Sequence, residues 1–299
     1  MNVPMDGFLV IDKRCGETSF SAVARVRRVL AVKKAGHAGT LDPLATGVLV
    51  VGLGYATRLL RFVESFEKEY TGVLRFGSET ETDDADGPVT ITRPVPSLSV
   101  GDIEAALCSF KGPIQQVPPI YAAVKVNGER AYTRARRGEA FSLTPRTVHV
   151  RELALVEWRP VEAELSLRVV CSRGTYIRAL ARDLGRVLGC GAHMRSLCRR
   201  RIGPFRLEQA LALETADAET LRQSLLPMRS ALAGVTTLCV APEDVRLLLL
   251  GNSVTVADEA AGSGERLVLD AADEPVCIGQ LEERSGGRLL RPLRLLKQI

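Results

Sequence analysis

Two short stretches of this chain carry residues whose types and spacing could do chemistry. The first is His37-Ala38-Gly39-Thr40-Leu41-Asp42-Pro43-Leu44-Ala45-Thr46-Gly47. Its glycines allow the backbone to approach a ligand closely, and Pro43 pushes Asp42 out of helical geometry. A short carboxylate held in a rigid loop ahead of an apolar strand suits a nucleophile or base that must be positioned accurately. An isolated Asp-Pro more often organises a turn, so the pair alone decides nothing. The second stretch is Cys171-Ser172-Arg173-Gly174-Thr175-Tyr176-Ile177-Arg178, running from a strand into a helix. Its glycine and helix start could hold a phosphate, and Arg178 could grip a carboxylate through two parallel hydrogen bonds. By itself this pattern is an ordinary strand-to-helix turn with an arginine.

The elements that must position these residues are legible in outline. Phe8–Ile11 reads as a strand. Thr18 and Ser19 offer an N-cap for a helix whose apolar residues Val23, Val26 and Leu30 recur at helical spacing. Residues 36–47 are expected to form a loop that feeds a buried strand over 48–53. Tyr70 to Phe76 alternates as a half-buried strand does. Ile103, Ala106, Leu107 and Phe110 mark a helix with Asp102 and Glu104 in its first turn. Strands are expected over 122–126, 148–156 and 164–170, and a helix through Ile177, Leu180, Leu184 and Leu188. Near Thr236 the texture changes to one short helix (242–250) and short strands between Gly and Asp turns. The expected division is therefore a catalytic domain over 1–235 and a β-rich module over 236–299.

The 299 residues carry 40 Lys+Arg against 35 Asp+Glu, and the charge is unevenly spread. Residues 125–151 hold seven basic and two acidic side chains, and residues 173–206 hold nine arginines against Asp183. Residues 64–104 hold ten acidic side chains. Segregation of this kind is the electrostatic footprint of a polyanion binder. Seven scattered cysteines without a CxxC pair point to free thiols in a reducing compartment. The N-terminus lacks the pattern of a signal peptide, and no run of apolar residues is long enough to span a membrane. A cytoplasmic location is the expectation.

Three other patterns lead nowhere. Residues 82–93 imitate a calcium loop, but Thr82 and Arg93 stand where acidic ligands are needed. Cys190, His193 and Cys198 supply only three soft ligands for zinc. Gly52-Leu53-Gly54 lacks the third glycine of a dinucleotide fingerprint. His149 alternates within a strand pattern and reads as structural.

Taken together and in this order, the two chemical stretches and their flanks resemble the TruB family of tRNA pseudouridine synthases. The blocks that carry the resemblance are GFLVIDK, AGHAGTLDPLATGVLVVGLGYAT, KEYTGVLRFG, TDDADG, QQVPPIYAAVKVNG and VVCSRGTYIRALARDLGRVLGCGAHMRSLCR, spread from Gly7 to about Phe205. The resemblance implies an α+β fold: a mixed, mostly antiparallel sheet with flanking helices and a central cleft, followed by a PUA-like β-barrel. It implies isomerisation of uridine 55 in the tRNA T-loop to pseudouridine, without cofactor or metal. Asp42 then falls on the catalytic aspartate, Tyr70 on the tyrosine that stacks on the target base, and Arg178 on the arginine paired with that aspartate. Tyr176 and Leu197 fall on further pocket positions, and His37 on the histidine that helps hold the flipped-out loop. Lys13 and Gly16 match an N-terminal motif from which Arg14 and Glu17 depart.

The implied chemistry suits these residue types. The target base must leave the stack for a pocket, where an aromatic face receives it. The carboxylate could attack uracil C6 or act at the ribose, and an arginine beside it would keep it ionised. An insertion over about 118–150, bearing Lys125, Arg130, Arg134, Arg136 and Arg137, is expected to grip the T-arm. The expected partner is tRNA, bound by a monomer. The competing reading is an RNA chaperone that folds tRNA without catalysis; both activities could coexist.

Overall fold

A computed structural model describes residues 5–297 apart from 123, 127, 257–262 and 285–286; Lys125, Val126 and Arg130 are described by their backbone alone. A mixed ten-stranded sheet forms the body of the chain. Its main path runs Leu211–Ala212, Gly7–Lys13, Thr46–Leu53, Ala192–Ile202, Lys68–Phe76, Glu164–Cys171, Arg146–Arg159 and Gly112–Gln116. Neighbours pair antiparallel except at two junctions: Gly7–Lys13 with Leu211–Ala212, and Thr46–Leu53 with Ala192–Ile202. The second junction lies in the middle of the sheet, with Thr46 opposite Cys198 and Gly47 opposite Arg199.

Helices close the faces, and their ends follow the sequence. Ser19–Leu30 starts at Thr18, whose hydroxyl accepts from the Ser21 N–H at 3.0 Å, and it buries Val23, Val26 and Leu30. Val100–Cys108 starts at Ser99, capped reciprocally by Asp102. Ile177–Val187 buries one face from Ile177 to Leu184 against the core that also holds Tyr70, Leu74 and Leu197.

The chain differs from the sequence expectations in three places. Ala35–Ala38 is a strand rather than the start of a loop, with His37 opposite Val51; its alanines and glycine carry no strand signal, and the apolar neighbour supplies the pairing. The expected strand over 122–126 shrinks to a hairpin of Lys125–Val126 with Glu129–Arg130. Ala192–Ile202, an eleven-residue strand at the centre of the sheet, had no recognisable pattern because Arg199, Arg200 and Arg201 interrupt it.

A second, five-stranded sheet forms from Thr237–Cys239, Gly264–Leu269, Pro275–Arg284, Gly287–Leu295 and Val254–Val256. It shares apolar core with the main sheet: Leu267, Leu269, Ile278 and Leu296 pack in one cluster with Phe8, Val50, Leu59 and Phe205. Arg58 donates to the Leu295 carbonyl, and Arg61 pairs with Glu265.

Candidate active site

The loop over 39–45 enters the central strand at the parallel junction, and two side chains from beneath hold it there. Lys13 is fully buried, and its ammonium donates to the carbonyls of Arg14 (2.7 Å), Glu17 (2.6 Å) and Pro43 (3.3 Å). Burial holds this amine below the ordinary lysine range. Arg199, also buried, donates to the Val48 carbonyl and the Gly39 carbonyl, each at 2.8 Å. Ser19 completes the frame: its hydroxyl accepts from the Leu41 N–H at 2.9 Å and donates to the Leu41 carbonyl at 3.1 Å. The departures at Arg14 and Glu17 leave this frame intact. Arg14 reaches outward to Glu214 at 2.8 Å, and Glu17 contributes its backbone.

Asp42 is thereby fixed in a cleft of about 550 Å³. Tyr70, Tyr176, Arg178 and Leu197 line the same cleft, so five of the six expected active-site side chains converge. His37 does not line it. It sits on the edge strand two residues before Gly39, with Nδ1 buried and unpartnered among the described residues. Burial and the nearby Arg199 charge hold its pKa below the ordinary histidine value.

Arg178 is 4% exposed and makes four contacts. Nε lies 2.9 Å from Asp42 Oδ2, and Nη1 lies 3.3 Å from Asp84 Oδ2. Nη1 also donates to the Thr82 carbonyl at 2.6 Å, and Nη2 to the Tyr121 carbonyl at 3.1 Å. Arg178 favours the ionised Asp42 carboxylate, the sense expected of it, but burial is the larger influence. Burial raises the Asp42 carboxyl above the ordinary aspartate range, Arg178 opposes that shift, and Asp84 adds to it. The Tyr70 phenol is likewise pushed up by burial, with the Arg199 charge opposing.

Several residues of the site escaped the sequence reading. Arg199 was visible only as one member of an arginine run. The acidic loop over 82–87, set aside as an imitation calcium site, supplies partners for the helix instead: Asp84 for Arg178, and Asp83 for Arg182 at 2.9 Å. Gln116 binds the Tyr176 backbone from both sides, accepting from its N–H at 2.8 Å and donating to its carbonyl at 3.1 Å. Lys68 lines the cleft two residues from Tyr70.

Ala122, Arg146, Thr147 and Val148 of the expected insertion line the cleft, whereas Arg134, Arg136 and Arg137 do not. Arg134 and Arg137 pair with Glu139 at 2.7 and 2.6 Å, and Arg137 also with Glu129 at 2.6 Å. Arg136 lies over the Tyr132 ring at 5.7 Å. The Lys125 and Arg130 side chains lie outside the described residues. Among the described residues no cluster of His, Cys, Asp or Glu could hold a metal ion, and no helix is long and apolar enough to cross a membrane. All seven cysteines are unpaired.

Comparison with known proteins places this geometry. The family model described as TruB family pseudouridylate synthase (N terminal domain) matches residues 27–177, and that described as tRNA pseudouridylate synthase B C-terminal domain matches 178–233. The tRNA pseudouridine synthase B of Synechococcus sp. (strain WH7803) is 42% identical over 291 residues, covering 97% of this chain and 93% of that protein. That of Thermobifida fusca (strain YX) is 46% identical over 234 residues, covering 76% and 79%. Among solved structures, a chain of a Cbf5-Nop10-Gar1 complex superposes with a TM-score of 0.76 at 26% identity, covering 98% of this chain and 86% of that one.

Proposed function

The chain belongs to the TruB family of pseudouridine synthases, isomerases that form pseudouridine in tRNA, and from that premise we propose that it acts on uridine 55 of the T-loop with Asp42 as the essential carboxylate. The observation that carries this reading is the Asp42 carboxylate, 2.9 Å from Arg178 Nε, in the cleft that Tyr70, Tyr176 and Leu197 also line.

The isomerisation breaks the bond from C1′ to N1, turns the uracil and joins C1′ to C5; C5 gives up its proton and the freed N1 takes one up. Composition and oxidation state are unchanged, so the balance calls for no redox partner. Tyr70 offers a face for the flipped uracil, and Leu197 and Tyr176 bound it. Attack by Asp42 at C6 and proton removal at the ribose both require the ionised carboxylate. Arg178 favours that form against the burial that disfavours it. The insertion over 118–150, with Lys125, Arg130, Arg134, Arg136 and Arg137, grips the T-arm in this reading, and His37 steadies the opened loop. The C-terminal sheet is the PUA-like module of a chain divided near residue 235.

The test is a single-turnover assay of the wild type and Asp42→Asn on an unmodified tRNA transcript, with pseudouridine mapped by carbodiimide treatment and primer extension. One T-loop stop, absent from a variant that still binds tRNA, is the expected result. Product at the wild-type rate from Asp42→Asn would remove the aspartate from its role. A wild type that binds tRNA without forming product would leave the chaperone reading alone.

A further inference from the structure

One wall of the cleft is lined by cations that the molecule leaves uncompensated. Lys68 is 6% exposed, and its ammonium donates to the Glu64 backbone carbonyl. Among the described residues it forms no ion pair. Lys68 and Tyr70 are two apart on the strand Lys68–Phe76 and so point to the same face. Their side chains are offset by about 7 Å along the strand, two residues of rise. Cys171 stands opposite Lys68 on the next strand, and the chain then runs into the Ser172–Thr175 turn that carries Arg173. Arg173 and Arg146 are exposed, line the same cleft, and have no side-chain partner among the described residues.

This vacancy contrasts with the arginines elsewhere on the same sheet. Arg168 is held by Glu69 at 2.8 Å and Glu152 at 2.6 Å, Arg201 by Glu69 at 3.3 Å, and Arg151 by Glu67 at 3.1 Å. Glu64, which lines the cleft together with Asp42, turns one oxygen to the Gly39 N–H at 3.4 Å. A nearly buried ammonium without a carboxylate is costly, and its pKa falls to about 8 through desolvation. An incoming anion would relieve that cost. Guanidinium groups match phosphate oxygens in pairs, and a nucleotide whose base stacks on Tyr70 carries its phosphates to one side of that ring.

We infer that Lys68, Arg146 and Arg173 form a phosphodiester subsite that holds a backbone phosphate adjoining the flipped nucleotide. The inference rests on the proposed function, because it takes the flipped base to lie on Tyr70. A phosphate held in the cleft that Asp42 also lines restrains the attached sugar, so the subsite contributes to orientation at the reacting carbon as well as to affinity.

The experiment is a methylphosphonate scan of a T-arm stem-loop RNA, in which each phosphate flanking the target uridine is neutralised in turn. Dissociation constants and single-turnover rates are measured with the wild type, Arg173→Gln, Arg146→Gln and Lys68→Met. The two exposed arginines are read first, since Lys68→Met could perturb folding. One position should weaken wild-type binding by about tenfold, and the same replacement should cost little further in Arg173→Gln, a non-additive pair. Losses that add at every position would overturn the subsite, because the cations would then act only as diffuse charge. Binding is read independently of turnover. Product with additive losses would refute the subsite alone, whereas a wild type that makes no pseudouridine on full tRNA would refute the function.

Discussion

Replacing Gln116 should disturb the active site without altering any side chain that lines the cleft. Gln116 is 1% exposed and ends the strand Gly112–Gln116. Its carboxamide serves Tyr176 as a one-residue strand, and Tyr176 has no side-chain cap of its own where the helix Ile177–Val187 begins. Gln116→Leu removes two hydrogen bonds worth about 1 kcal/mol each and leaves the Tyr176 N–H and carbonyl without partners, for a total near 3 kcal/mol. That is a large part of a typical stability of about 5–15 kcal/mol. Gln116→Glu is the more discriminating change. As a carboxylate it still accepts from the Tyr176 N–H but sets an oxygen against the Tyr176 carbonyl. As a protonated acid it restores both roles. Its folded-state pKa should therefore lie above the unfolded value of about 4.3. The penalty is then absent below that value, grows as pH rises, and is complete above the folded pKa. Urea unfolding and single-turnover rates at pH 5 and pH 8 measure it. The Leu variant should lose stability and at least tenfold in rate, and the Glu variant should approach wild type only at the lower pH. A Leu variant with wild-type midpoint and rate, or a Glu variant indifferent to pH, would refute the clamp.

Other outcomes follow from the same geometry. Gly47 has φ +93°, and a Cβ there would run into the Arg199 carbonyl and lie 3.0 Å from Cys198 Sγ; Gly47→Ala should cost on the order of 3 kcal/mol in a thermal melt. Because the Asp42 carboxyl is raised in the fold, the ionised form weakens stability above the unfolded pKa of about 3.9, and the deficit disappears as pH falls below it. Asp42→Asn should thus be inactive yet at least as stable as wild type at pH 7, with the difference closing towards pH 4 in paired melts. The wild-type single-turnover rate should fall on acidification through a pKa above the ordinary aspartate value. Neutralising Arg134, Arg136 and Arg137 should flatten the plot of log affinity against log salt by about 2 in slope. An unchanged slope would remove these arginines from the phosphate contacts.

What the sequence made legible was local. Asp42 and Arg178 stood out because their types and neighbours lie within a few residues of each other. The helix beginning at Ser19 announced itself through Thr18, and that beginning at Val100 through the spacing of Ile103, Ala106 and Leu107 and the acidic Asp102. What stayed hidden depends on pairing or burial. Ala35–Ala38 is a strand because an apolar neighbour offers an edge. Ala192–Ile202 lies at the centre of the sheet despite three successive arginines, because Arg199 turns its charge inward to two carbonyls. The burial of Asp42 was hidden for the same reason. An arginine partner can be read from a motif, but the desolvation that outweighs it is a property of the folded cleft. Lys68 carried no signal of its own in the sequence, because its burial is a product of the fold.

The contacts of Arg178 make the carboxylate and the insertion parts of one device. The same guanidinium touches Asp42, the carboxylate of the proposed reaction, and the Tyr121 carbonyl near the start of the basic insertion. Arg182, one turn along the helix, holds the Val117 carbonyl at 2.8 Å, and Gln116 holds Tyr176. Three consecutive attachments thus tie the segment 116–121 to the start of the helix that presents Arg178. Any movement of the insertion towards RNA must pass through that segment, and it will alter how closely Arg178 sits to Asp42. At 2.9 Å in a partly desolvated site, small changes in that separation weigh heavily on the charge state of the carboxylate. In the proposed reading, gripping RNA and readying the aspartate are therefore coupled through one side chain, and substitutions at the root of the insertion should alter the chemical step even where tRNA affinity is preserved.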